Sequence, residues 1–95
     1  MAEPMLLQLP TDRLILEELR RGQNLAANVA EAVDRHQKTV LDRCAQLADY
    51  GLVENIGRGV YRITDRGEIA LEHIDEYDRD RSDEFRELVR RESGD

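Results

Sequence analysis

The chain has 95 residues, of which 40% are hydrophobic, and a formal net charge of −7. This length supports one modest core, and the single cysteine excludes an internal disulfide. The negative charge has the opposite sign to that of a generic nucleic-acid binder. No stretch approaches the roughly 20 apolar residues of a membrane span and nothing resembles a signal peptide, so we expect a cytoplasmic protein.

The charges are unevenly distributed along the chain. Residues 1–34 carry 3 basic and 6 acidic groups, and residues 65–95 carry 6 and 12. Residues 35–64 carry 5 basic and 3 acidic groups, so only this middle stretch has a positive balance. This positive stretch contains the central helix described below.

The first predicted elements are an arm and two helices. Residues 1–10 hold several leucines and end at a proline, which predicts an N-terminal arm that packs on the core or on a second subunit. Thr11 is the predicted N-cap of a helix that extends to about Arg21. After a few extended residues, a short alanine-rich helix is predicted over about residues 26–33.

A central helix is predicted over residues 35–50, between marked start and end signals. Asp34 is the predicted N-cap, and Gln37 three residues later completes a capping box. Gly51 suits the left-handed position that ends a helix. At 100° per residue the apolar side chains fall on one face, which we expect to be buried. These side chains are Val40, Leu41, Cys44, Leu47 and Ala48.

Polar side chains lie opposite this apolar face, and two further candidates lie at its border. The polar face consists of Arg35, Lys38, Thr39, Asp42 and Gln46, and the border residues are His36 and Arg43. A helix with one buried face and short hydrogen-bonding side chains on the other is suited to contact DNA. Together with the preceding helix it makes a helix-turn-helix.

After the central helix the spacing of apolar residues changes to that of β-strands. Residues 52–56 and 60–63 predict the strands of a hairpin, with two glycines in the tight turn between them. Either Thr64 or Asp65 caps a fourth helix. The sequence therefore predicts three helices, a hairpin and a further helix in that order.

Two local motifs in this part of the chain resemble winged helix-turn-helix regulators of prokaryotes. Tyr-Gly-Leu-Val at residues 50–53 resembles the start of the wing, and Tyr-Arg-Ile-Thr-Asp-Arg-Gly at residues 61–67 resembles its end. The resemblance extends over residues 11–74. It implies a mainly α fold with a small β-hairpin wing (α+β): a three-helix core, the wing and a C-terminal helix.

The composition adds to this resemblance. Lys38 is the only lysine among 14 basic residues, and acidic residues number 21. With this composition the chain most resembles phage-repressor-like winged-helix proteins of salt-loving archaea. At molar salt the Debye length is about 3 Å, so distant acidic groups scarcely repel DNA phosphates. We expect the acidic surface to be a solubility adaptation.

The resemblance also implies how such a chain contacts DNA. The helix over residues 35–50 enters the major groove, and the turn at residues 57–59 lies on the adjacent backbone or in the minor groove. The predicted DNA contacts are Arg35, His36, Lys38, Thr39, Arg43, Gln46 and Arg58. The alternative is an ordinary solvated face, in which Lys38 and Asp42 form an i, i+4 ion pair.

The chain is expected to divide into an N-terminal arm (1–10), a winged helix-turn-helix domain (11–74) and an acidic C-terminal helical extension (75–95). Ser82 is a candidate cap for a helix in the extension. Either the extension forms a dimer interface, helped by the arm, or it is a frayed acidic tail. The apolar residues available for the interface are Ile74, Tyr77, Phe85, Leu88 and Val89.

The sequence thus predicts a sequence-specific transcriptional regulator, a repressor, that binds double-stranded DNA as a homodimer. The alternative is a winged-helix module that binds another protein through its acidic surface. Two histidines and one cysteine are scattered and give no recognisable metal site. No nucleophile–base pair, compact carboxylate pair or phosphate-binding glycine loop is evident, so we expect neither an enzyme nor a cofactor.

Overall fold

The computed structural model describes residues 4–94, and within them the chain forms five α-helices and three β-strands. The helices are α1 (Thr11–Arg21), α2 (Ala26–Val33), α3 (Gln37–Asp49), α4 (Asp65–Glu72) and α5 (Ser82–Glu92). The strands are β1 (Asn24–Leu25), β2 (Val53–Gly57) and β3 (Val60–Ile63). Residues 1–3 of the predicted arm lie outside the described residues. None of the helices described is long and apolar enough to span a membrane.

This order confirms the predicted mainly α architecture with a small β wing. α1 packs against α2, α3, α4 and β3, so it lies at the centre of the fold. The strands form one antiparallel sheet in the order β1-β3-β2. The extended residues after α1 are β1, which places Asn24 opposite Tyr61 and Leu25 opposite Val60. The wing hairpin is therefore extended to three strands by the link between α1 and α2.

The start of α3 differs from the prediction. Asp34 does not cap it, because this residue ends α2 in the left-handed conformation at φ +56°. Aspartate tolerates that conformation better than most residues, so the chain turns here without a glycine. The N-cap is His36, whose Nδ1 accepts a hydrogen bond from the backbone N–H of Lys38 at 3.2 Å. The predicted N-caps Asp34 and Thr11 are therefore both wrong: α3 begins at Gln37 with His36 as its cap, and Thr11 is itself the first residue of α1.

The end of α3 is as predicted and determines where the wing begins. Gly51 adopts φ +80°, and its N–H donates to the Ala48 carbonyl at 2.9 Å. The N–H of Leu52 donates to the Leu47 carbonyl at 3.0 Å. These two bonds make a Schellman motif. Leu47 and Leu52 are both fully buried, so apolar packing stabilises the helix end as well.

α4 begins where the wing ends, and one threonine joins the two. Thr64, rather than Asp65, is the N-cap: its hydroxyl accepts from the Gly67 N–H at 3.1 Å and donates to the Gly51 carbonyl at 2.5 Å. Gly67 has no room for a side chain, since a Cβ there would lie 2.0 Å from the Leu52 carbonyl oxygen. This glycine therefore allows α4 to lie directly against the start of the wing.

The C-terminal part is neither one continuous helix nor a frayed tail. Two 3₁₀ turns, Ile74–Glu76 and Arg79–Arg81, follow α4, and α5 then packs onto the core. Phe85 and Val89 are buried, and the Phe85 ring meets that of Tyr77 edge to face at 5.1 Å. Ile74 is buried as well. Ile74, Phe85 and Val89 fill the core of their own chain, so they cannot form the predicted dimer interface, whereas its other two members, Tyr77 and Leu88, are half-buried. The homodimer itself stays a prediction. The predicted division at residues 10 and 74 stays a prediction.

Candidate nucleic-acid interface

α3 turns one side toward the core and leaves the other side open. Val40, Cys44 and Leu47 are fully buried where α3 packs against α1, α2 and β2. The exposed residues of its N-terminal half are Gln37, Lys38, Thr39, Leu41 and Asp42. Leu41 was predicted on the buried face, but it is 45% exposed. It lies about 100° around the helix axis from Val40, which places it beside the buried face.

Arg35 lies in the corner between α2 and α3. Its Nε donates to Thr11 Oγ1 at 3.4 Å. Its Nη1 donates to the carbonyls of Val33, at 3.3 Å, and Asp34, at 3.2 Å. These bonds join the corner to the start of α1 and determine where the half-buried guanidinium lies. Nη2 has no hydrogen-bond partner among residues 4–94, so its donors remain for a ligand.

His36, Lys38 and Thr39 lie together at the start of α3 and are all exposed. The Nδ1 of His36 is used by the helix cap, which leaves Nε2 for contact with a ligand. The side chain of Lys38 is 79% exposed, and its Nζ lies 3.5 Å from Asp42 Oδ2, as the solvated-face alternative predicted. An exposed pair of this kind contributes at most about 1 kcal/mol, so Lys38 can exchange Asp42 for a phosphate.

Gln46 lies apart from this group. It is half-buried and follows Lys38 by eight residues, about 12 Å along the helix axis. A ligand that contacts the start of α3 reaches Gln46 only if it follows the helix for more than two turns.

Arg58 lies at the tip of the wing, in a two-residue loop between the paired residues Gly57 and Val60. Arg58 and Gly59 both have positive φ, +55° and +78°, as a type I′ hairpin turn requires. The predicted tight turn is therefore present, but the arginine itself is left-handed, at a cost of about 1–2 kcal/mol for a residue with a Cβ. The side chain makes no hydrogen bond or ion pair with any other residue in 4–94.

Arg43 points away from the open side of α3. Its Nε and Nη2 form two hydrogen bonds with the Asp12 carboxylate, at 2.9 and 2.8 Å, and Nη2 also donates to the Leu6 carbonyl at 3.3 Å. Only 12% of the Arg43 side chain and none of the Asp12 side chain is exposed. The hydrogen bonds to Asp12 raise the pKa of the guanidinium above its usual range. Arg43 therefore joins α3 to α1, which the sequence did not reveal.

The residues before α1 support α3 from the same side. We call residues 4–10 the N-terminal segment; within it Met5 and Leu7 are buried. The Tyr50 hydroxyl accepts from the Leu6 N–H at 3.0 Å. The Tyr77 hydroxyl accepts from the Leu7 N–H at 3.0 Å and donates to the Met5 carbonyl at 3.1 Å. The predicted arm therefore packs on the core, and its alternation of buried and exposed residues is the sequence signal for this extended segment.

Cys44 is fully buried, as predicted, and burial raises the pKa of its thiol to about 11. The thiol is therefore protonated at neutral pH and unreactive. Within the described ranges, no three His, Cys, Asp or Glu side chains are grouped so that they could hold a metal ion.

Comparison with known proteins adds the following. A sequence model of a family described as winged helix-turn-helix phage repressor matches residues 5–83, from the N-terminal segment into α5. A solved structure, IdeR from T. acidophilum, is similar over 90% of this chain at 22% identity and a TM-score of 0.49. The chain spans about half of that protein, 52% of its length. No curated protein matches the chain.

Proposed function

We propose that the chain, which belongs to the winged helix-turn-helix phage repressor family, is a DNA-binding regulator that represses transcription by binding specific sequences in double-stranded DNA. In this proposal α3 enters the major groove, and the tip of the wing lies on the adjacent backbone or in the minor groove. The protein acts in the cytoplasm as a homodimer and has no catalytic role.

The open side of α3 is the observation that carries the proposal. Its first turn exposes Lys38 and Thr39, and internal hydrogen bonds hold Arg35 at the corner just before it. Such side chains donate to phosphates and to base edges. Because the opposite side of α3 is already buried, the helix can enter a groove without any rearrangement of the core.

The proposed contacts differ from the predicted set by one residue. They are Arg35, His36, Lys38, Thr39, Gln46 and Arg58. Arg43 is left out, because its guanidinium is bound to Asp12 and is nearly buried. Gln46 contacts a base only if α3 lies along the groove, since it is about 12 Å beyond the first turn.

Because the chain has a net charge of −7, it can bind DNA only where its acidic surface does not repel the phosphates strongly. We propose that the protein works at high salt, in a salt-loving archaeon. A pI of about 4.8 and the presence of a single lysine, Lys38, support this. At molar salt, charges farther apart than about 3 Å are largely screened, so the contacts at α3 outweigh the distant acidic groups.

The homodimer is proposed because two copies of α3 would then contact half-sites about one DNA turn apart. The buried residues of α5 do not supply the interface. Leu6 and Leu9 of the N-terminal segment remain for it, since they are 41% and 43% exposed.

Selection from a random pool of DNA duplexes, at molar potassium chloride and again at low salt, tests the proposal. We expect an enriched palindrome whose half-sites are about 10 base pairs apart. Enrichment of a single half-site would retain the DNA-binding function and contradict the homodimer. No enrichment by folded protein at either salt would contradict DNA binding and favour the protein-interaction alternative.

Substitution of Lys38 then tests the role of α3. Lys38→Ala should weaken binding to the selected duplex and reduce the slope of log affinity against log salt by about 1, the effect of one lost phosphate contact. The melting temperature should not change, because the side chain is 79% exposed. Arg79→Ala is the matched control, since it removes one exposed cation outside α3 and the wing. Equal slopes in the two variants would contradict the assignment.

A further inference from the structure

Leu41 is a large apolar side chain that the fold leaves open on the proposed recognition helix. It is 45% exposed, whereas the neighbouring Val40 and Cys44 are fully buried. The core is therefore filled without it. Within residues 4–94 the other large exposed apolar residues are Leu6, Leu9, Leu25 and Ile56, and none of them is on α3. Leu41 is therefore the large apolar side chain that α3 exposes to whatever its open side contacts.

Leu41 lies in a row with two other exposed residues. Lys38 precedes it by three residues and Ala45 follows it by four, a spacing that makes these side chains neighbours on a helix. From Lys38 to Ala45 the helix advances about 10 Å. Stacked base pairs are about 3.4 Å apart, so the row has the length of about three base pairs.

The charge beside Leu41 favours base edges over phosphates as its contact. Asp42 is the next residue, and its side chain is 63% exposed. A carboxylate at this position repels the DNA backbone, whereas base edges carry no net charge. In the major groove the apolar group of a base pair is the C5-methyl of thymine.

On the basis of the proposed function, we propose that Leu41 contacts the C5-methyl group of a thymine in the major groove. Leu41 is then a specificity-determining residue. It favours thymine over cytosine, which has no methyl group and presents a donor that an apolar side chain cannot satisfy.

Replacement of thymine by deoxyuridine tests this inference, because it removes the methyl group and keeps every hydrogen-bonding group. Each thymine of the selected duplex is replaced in turn, and the affinity of the unmodified protein is measured. We expect one position in each half-site at which the replacement weakens binding about fourfold, the effect of one buried methyl group. In Leu41→Ala the two bases should be bound equally at that position.

Leu25→Ala is the matched control, since Leu25 is 42% exposed and lies in β1. This variant should keep the fourfold preference for thymine. No effect of uracil at any position, or a preference that survives in Leu41→Ala, would overturn the inference and leave the proposed function in place. The inference is also overturned if sedimentation shows that Leu41→Ala disrupts a dimer while the preference for thymine persists, because Leu41 would then contact a second copy of the chain. Failure of the unmodified protein to bind any duplex would overturn both.

Discussion

Arg43 and Arg58 are the same kind of side chain in two regions that use it in opposite ways. Arg43 is nearly buried, with two hydrogen bonds to Asp12 and one to the Leu6 carbonyl. Arg58 has no partner among residues 4–94, and its backbone is left-handed. The Arg43 guanidinium stabilises the contact between α3 and α1, whereas the left-handed backbone of Arg58 destabilises the turn that presents its guanidinium. The role of each arginine therefore depends on which residues surround it in the fold, and the sequence does not show those neighbours.

Removal of Asp12 should disrupt the Arg43 region most severely. Asp12→Ala leaves a nearly buried guanidinium without its carboxylate, which costs about 3–5 kcal/mol of the free energy of unfolding. Urea denaturation measures the loss. The control is Asp75→Ala, which breaks an exposed pair with Arg13 (2.9 Å) and should cost less than about 1 kcal/mol. Similar losses in the two variants would contradict the structural role of Arg43.

Removal of the Tyr77 hydroxyl should cause the next largest loss in the free energy of unfolding, again in the part of the molecule around Arg43. Tyr77→Phe leaves the Leu7 N–H and the Met5 carbonyl without this partner, at a cost of about 1–3 kcal/mol. Amide hydrogen exchange at Leu7 should become faster. Tyr61→Phe is the control, because Tyr61 is also buried and its hydroxyl makes no hydrogen bond within residues 4–94. Unchanged exchange at Leu7 would show that the Tyr77 hydroxyl does not hold the N-terminal segment in place.

The smallest expected change in stability, and one of opposite sign, is at the wing tip. Arg58→Asn creates the Asn-Gly pair that type I′ turns favour, so we expect the free energy of unfolding to stay equal or rise by about 0.5 kcal/mol. Affinity for the selected duplex should fall, and the salt slope should decrease by about 1. Thermal melting and binding at several salt concentrations measure the two effects. A less stable variant, or one with unchanged binding, would contradict the contrast with Arg43.

Elements with local signals could be predicted from the sequence. The bounds of α1 and α2 follow from their apolar spacing and from the residues that end them. Gly51 ends α3 as predicted, because positive φ strongly favours glycine. The cap of α3 could not be predicted in the same way, since histidine is not a preferred N-cap. Aspartate occurs both as an N-cap and in the left-handed conformation, so the sequence alone does not show which of the two Asp34 adopts.

In the candidate site, too, local signals could be predicted from the sequence and contacts between distant elements could not. The helical period was enough to place Lys38 and Thr39 on the open side of α3. It could not show that Arg43 pairs with Asp12, 31 residues earlier, because that bond depends on how α1 packs against α3. The exposure of Leu41 likewise depends on which neighbouring helices cover its side of α3.

The bonds of the N-terminal segment also bear on the order in which the protein is assembled during synthesis. The Met5 N–H donates to the Ser82 carbonyl at 3.4 Å, and the partner of Leu7 is 70 residues later in the chain. Translation proceeds from the N-terminus, so these partners emerge from the ribosome long after the residues that they bind. Met5 and Leu7 are made well before residues 77–82, so these bonds can form only after that later part of the chain has been synthesised.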